Sequence, residues 1–275
     1  MIRLSNLGTR ILVAVIGMPI IFAACIFGKF FFLVFALAVG LVSYYEFSKM
    51  ILNINHYANK LVGYLSVAVI ILNAYYHFID LQILFLIIVS LLFLVELYRV
   101  KGSATSNVGS TLAGIFYTGL LVSGLILLRE FYSDSHFTYD RGGYLIISVF
   151  ASIWLCDSSA FFVGTAIGTH KILPRISPNK SWEGAIAGFI FSTVGMIAAR
   201  FIILDFLTMF DAIAIGIIVG VFGQAGDFVE SMFKRDSNVK DSSSIIPGHG
   251  GVLDRFDSLI FSAPLIYLYL KFFAG

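Results

Sequence analysis

The sequence predicts an all-α integral membrane protein of about nine transmembrane helices, with its N-terminus cytoplasmic and its C-terminus outside. Three observations lead there. Of 275 residues, 59% are hydrophobic and 12% charged, and the mean hydropathy is +0.95. A water-facing surface needs roughly a quarter charged residues, which excludes a soluble domain. Apolar runs recur along the chain at about the 20 residues that a helix needs to cross a hydrocarbon core. Finally, Lys and Arg segregate between alternate connections, as the cytoplasmic excess of positive charge requires.

The runs lie near 11–28, 30–48, 61–79, 81–97, 111–128, 143–168, 184–204, 209–227 and 258–274. The first follows Arg3 and Arg10 and stops at Lys29. The second ends at Lys49, and the third opens after Lys60. The third and fourth follow each other so closely that each is either a crossing or half of a re-entrant unit. The fourth ends before Arg99 and Lys101, and the fifth ends at Arg129. The sixth begins after Arg141 and ends before Lys171. The seventh opens behind Ser181, the eighth runs to Asp227, and the ninth follows the charged group Asp254, Arg255 and Asp257. With the sides alternated, only Lys29, Arg129, Arg141, Arg200 and Lys271 of the 18 Lys and Arg fall on the far side, so the N-terminal side is cytoplasmic.

A net charge of +2 and a pI near 8.5 give no general polyanion-binding surface, and no motif or basic patch supports nucleic acid as a partner. Cys25 and Cys156 lie in apolar runs without a CxxC pattern and read as buried thiols. No repeat or linker divides the chain, so residues 1–275 are expected to form a single polytopic membrane domain in the cell membrane.

Ionisable residues are costly in hydrocarbon, so those kept at span ends mark candidate function. Ten of them fall between Asp227 and Asp257. Continued as helix past Gly226, the eighth span would place Asp227, Glu230, Ser231 and Lys234 on one face. The turn "PGHGG", Pro247–Gly251, lets backbone N–H groups converge just before the last span, where helix-terminal amides favour phosphate. Alone, such a turn is ordinary punctuation. Asp227 and Asp254 at helix ends suit Mg²⁺, and Lys234, Arg235, Lys240 and Arg255 would balance phosphate charge. Carboxylates, cations and a glycine turn together describe phosphoryl or nucleotidyl transfer.

His249 reads either as an acid or base or as a hydrogen-bonding member of its turn. In "ISPNKSWEG", Ile176–Gly184, Ser181 reads as the N-cap of the seventh span with Glu183 in its first turn, while Lys180 suits an anionic headgroup or phosphate. Asp157, within "WLCDSSAFF", is an intramembrane acid open to metal, proton or hydrogen-bonding roles.

The stretch "SMFKRDSNVKDSSSIIPGHGGVLDRFD", Ser231–Asp257, resembles the signature of the phosphatidate cytidylyltransferases, also called CDP-diacylglycerol synthases. Ser231, Phe233, Lys234, Arg235, Lys240, Asp241, Ser243, Pro247, His249, Gly250, Gly251, Asp254, Arg255, Phe256 and Asp257 stand at its spacing. "SPNKSWEG" resembles the family's upstream element, and "GDFVES" its Gly-Asp before the signature. The resemblance covers roughly the last 120 residues, with the catalytic signature region in 157–258. Asn179 stands where a second Lys is common, and Ser243 replaces a frequent Gly.

The resemblance implies transfer of a cytidylyl group from CTP to phosphatidic acid, giving CDP-diacylglycerol and pyrophosphate on the cytoplasmic face. It implies Mg²⁺ at Asp227 and Asp254, with Lys234 and Arg235 also catalytic. Lys180, Ser231, Lys240, Asp241, His249, Gly250, Gly251, Arg255 and Asp257 are the implied substrate-binding residues. Asp241 and Asp257 would hold a second cation or orient Lys and Arg. A homodimer is carried as an expectation. The rival reading is an ion-coupled transporter, which the many spans and Asp157 fit but which leaves the signature unexplained.

Overall fold

The computed structural model describes residues 6–133 and 138–274; Arg3, used in the charge bias, lies outside them. Nine helices run through the described residues. They are α1 (Asn6–Phe27), α2 (Lys29–Leu52), α3 (Lys60–Tyr76), α4 (Leu81–Leu97), α5 (Ala104–Arg129), α6 (Tyr139–Ile167), α7 (Trp182–Ile202), α8 (Met209–Asp236) and α9 (Leu253–Phe273). There is no strand among the described residues, only isolated bridges at Lys171–Ser181 and Ile246–Gly250. Helices α2 and α5 to α9 are long and apolar enough to cross a membrane, while α1, α3 and α4 contribute shorter apolar stretches.

Local chemistry explains where the helices start. Asn59, Asp80, Ser103, Ser181 and Thr208 each accept a hydrogen bond from a first-turn amide, satisfying donors that lack a partner within the helix. The third and fourth runs are separate helices, broken where His77 takes a left-handed conformation and Asp80 caps the next. Ser103 starts α5 a full turn and more before the apolar run at 111. The largest departure is α8, which continues nine residues past its apolar run to Asp236. Its end is amphipathic rather than apolar, so hydropathy alone stops too early. Both α5 and α8 contain a π turn, at Phe116–Leu120 and Val219–Gly223.

The described chain divides into two compact units. One contains α1 up to Ala24, the stretch Lys29–Leu127, and Phe233–Phe256. Its core includes the fully covered Phe32, Tyr44, Phe47, Ile70, Ile71 and Leu92. Phe233 packs edge-on against Phe47 at 5.2 Å between ring centroids, which anchors the end of α8 within this unit. The other unit contains Cys25–Gly28, Leu128–Met232 and the chain from Asp257. There Gln224 Nε2 donates to the Ala185 carbonyl at 3.1 Å, tying α8 to α7. Tyr269 donates to Asp211 at 2.7 Å, tying α9 to α8. Phe161, Phe162, Phe191 and Phe201 on α6 and α7 are exposed, as side chains facing lipid would be.

Candidate active site

Within the second unit, the polar end of α8 follows the π turn and carries Asp227, Glu230 and Ser231 at helix-face spacing. Gly226 brings that face to α9: a Cβ there would stand 2.6 Å from the Asp257 carbonyl oxygen, too close for any side chain. The close approach lets carboxylate oxygens of Asp227, Glu230 and Asp257 lie within 4.8 Å of one another. Glu230 is fully buried and Asp257 nearly so. Ser231 Oγ donates to Asp227 Oδ1 at 3.2 Å, and the Ser258 amide donates to Asp257 Oδ1 at 2.7 Å.

Lys180 brings the balancing charge. Its ammonium sits 2.6 Å from Asp227 Oδ2 and 4.4 Å from the centroid of the Phe228 ring. The segment holding it is fixed by the start of α7. Ser181 Oγ accepts from the Gly184 amide at 3.3 Å, while Glu183 accepts from Thr169 Oγ1 and the His170 amide. Ser181 and Glu183 therefore fold the loop, as their sequence context predicts. Ser181→Ala is expected to cost about 1 kcal/mol of stability, read as a lower melting midpoint in detergent. An unchanged midpoint would remove the capping role. Asp157 lies within electrostatic range of Asp257.

A second polar cluster lies in the first unit. Lys234 Nζ pairs with Asp254 Oδ1 at 2.7 Å, with side-chain exposures of only 12% and 5%. Asp254 Oδ2 accepts from the Ser242 amide at 3.0 Å, Ser242 Oγ at 2.8 Å and the Gly251 amide at 2.7 Å. Gly251 must be glycine, because a Cβ would collide with Ser242 Oγ and stand 2.5 Å from Glu46 Oε1. The turn before it closes through the Ile246 amide to the Gly250 carbonyl at 2.9 Å and the His249 amide to the Ile246 carbonyl at 3.0 Å.

The expected site residues thus fall into three groups. Lys180, Asp227, Ser231 and Asp257 come together in one unit; the other holds Lys234 at the end of α8, Asp254 in the first turn of α9, and Gly250, Gly251 and the half-buried His249 in the loop between them. Arg235, Lys240, Asp241 and Arg255 are exposed, and Arg235 Nη1 donates to the Val239 carbonyl at 3.1 Å.

Sequence reasoning did not carry Glu230, although it placed it on the right face, and it missed Glu46 altogether. An acid in the apolar stretch "SYYEFSK" of α2 was the available signal for Glu46. Three clustered carboxylates with one neighbouring ammonium form a donor set of hard oxygens, which fits a divalent cation of the Mg²⁺ class.

The Cytidylyltransferase family model matches residues 8–273. A phosphatidate cytidylyltransferase of Brucella melitensis is 34% identical over 276 residues, covering 98% of this chain and 96% of the relative. One from Bacillus subtilis is 33% identical over 278 residues, covering 96% and 98%. The enzyme of that name from Haemophilus influenzae is 43% identical over 169 residues, covering 55% and 53%. The likeness therefore reaches well into the N-terminal half, beyond the segments whose motifs first indicated it.

Proposed function

The chain belongs to the cytidylyltransferase family, and on that premise we propose that it transfers a cytidylyl group from CTP to phosphatidic acid, giving CDP-diacylglycerol and pyrophosphate in phospholipid biosynthesis. The observation that carries the reading is the convergence of Asp227, Glu230 and Asp257 beside Lys180. Like charges this close repel strongly away from bulk water, and a divalent cation offsets that repulsion. We assign Mg²⁺ to these three acids. When bound, it would neutralise charge on the CTP phosphates as pyrophosphate departs.

The phosphate of phosphatidic acid is already anionic near neutral pH, so its oxygen attacks the α-phosphorus of CTP without a strong general base. One P–O bond forms, the bond to the bridging oxygen of the β-phosphate breaks, and pyrophosphate leaves with that electron pair. What the chain must provide is position and positive charge. Lys180, with 29% of its side chain exposed, is assigned to a substrate phosphate. Arg235, Lys240 and Arg255 are assigned to phosphate charge, and the turn bearing His249, Gly250 and Gly251 is assigned to nucleotide binding. Ser231 steadies Asp227, and Asp241 orients neighbouring cations. Asp254, expected as the second metal ligand, already accepts from Lys234, Ser242 and Gly251, which favours shaping the turn as its role. In this reading Glu230 and Asp257 complete the metal set with Asp227.

The same proposal keeps one polytopic domain with nine crossings, three of them made by α1, α3 and α4. A 17-residue helix such as α3 rises about 25 Å, and polar ends that reach the interface span the rest. The N-terminus and the site face the cytoplasm, the membrane is the cell membrane, and the assembly is a homodimer.

Pyrophosphate release by purified protein in lipid-containing micelles with Mg²⁺ tests the reaction. Release that requires both phosphatidic acid and CTP, and that fails with UTP or after chelation, is the expected result. Folded protein that never releases pyrophosphate would turn the reading towards transport.

A further inference from the structure

Glu46 lies in α2, far in sequence from every residue of the signature, yet it is fully buried at the start of α9. Its carboxylate is engaged on both oxygens. Oε2 accepts from the Leu253 amide at 2.7 Å and from Ser242 Oγ at 3.3 Å. Oε1 accepts from the Val252 amide at 2.9 Å and from Ser243 Oγ at 2.5 Å. All five residues belong to the same compact unit. A buried carboxylate is retained only where donors compensate its lost hydration, and here two of the four are amides at a helix N-terminus, where negative charge is favoured.

The arrangement complements that of Asp254. Ser242 donates to both carboxylates, and Gly251 lies against both Ser242 and Glu46. Glu46 and Asp254 therefore clamp the two ends of the loop Ser242–Gly251, one from outside the signature and one from within it. Ser243, which stands where glycine is frequent in the family pattern, supplies one of the four donors to Glu46.

We propose that Glu46 is a positioning residue for cytidylyl transfer, holding the glycine turn and the start of α9 in the conformation that receives the CTP phosphates. The inference rests on the reaction assigned above. It assigns Glu46 no contact with substrate: it acts through the Val252 and Leu253 amides and the two serines.

Glu46→Gln has nearly the same shape but replaces one acceptor by an NH₂ group. In either orientation that group faces a backbone amide, at Val252 or at Leu253, so one buried donor loses its partner. Two measurements on the full-length protein in lipid micelles test the consequence. Steady-state kinetics of E46Q should show KM for CTP raised roughly tenfold or more, with KM for phosphatidic acid close to wild type. Hydrogen exchange should show lost protection at Val252 and Leu253. Ser243→Ala, which removes a single donor, should move both readouts in the same direction by less.

A loss of folded protein would lower kcat alone, so a fall in kcat with KM for CTP unchanged overturns the proposal. So does unaltered exchange at the two amides in E46Q. If E46Q does not fold, S243A decides, and wild-type KM and exchange in that variant overturn it. Inactive wild-type protein would instead refute the assigned reaction, and the catalytic proposal with it, while the exchange data would still report whether Glu46 holds the turn.

Discussion

Asp227→Asn is expected to lower cytidylyl transfer by roughly a thousandfold or more while leaving the protein folded. The amide keeps the size of the carboxylate and can still accept from Ser231, but it removes the charge that pairs with Lys180 and one of three acids in the cluster. Stability should not fall, because taking one charge from three crowded carboxylates relieves their repulsion. The two readouts therefore move apart: pyrophosphate release disappears, and the melting midpoint in detergent stays level or rises. Turnover near the wild-type rate would refute the metal-holding role of Asp227.

Lys234→Met should do the reverse, acting first on the fold. The Lys234–Asp254 pair is almost wholly covered, and truncating one member of such a pair leaves the other charge buried without its partner, which costs about 3 to 5 kcal/mol. Three neutral donors from Ser242 and Gly251 remain on Asp254 and place the expected loss at the lower end of that range. Thermal unfolding in detergent measures it. Adding Asp254→Asn to Lys234→Met should recover part of the loss, since the orphaned charge is then gone. A double variant whose loss equals the sum of the two single losses would show that Asp254 does not depend on Lys234.

The helices were legible in the sequence because hydrophobic length is a one-dimensional property. The nine apolar runs coincide with nine helices among the described residues, and Ser181 caps the helix that its position suggested. The end of α8 was underestimated because its last turns are polar, although the spacing of Asp227, Glu230, Ser231 and Lys234 already described a helical face. Glu46 was legible only as an acid inside an apolar helix. Its role depends on which amides meet it from some two hundred positions away, and no local pattern encodes that. Asp254 shows the opposite limit: its place beside the glycine turn was readable, whereas its Lys234 and Ser242 partners were not.

The π turn at Val219–Gly223 sets the phase of everything beyond it on α8. Such a turn accommodates one residue more than an α-helix does, and each helical residue advances the direction of the side chains by about 100°. Wound as regular helix with every residue kept, that stretch would swing Asp227, Glu230 and Ser231 together away from Asp257, whereas removing one residue there would straighten the helix and leave their direction nearly unchanged. The irregularity thus works as a rotational offset written into the backbone, and a one-residue deletion in the regular turns of α8 on either side should harm the acid cluster more than one inside that apolar pentapeptide.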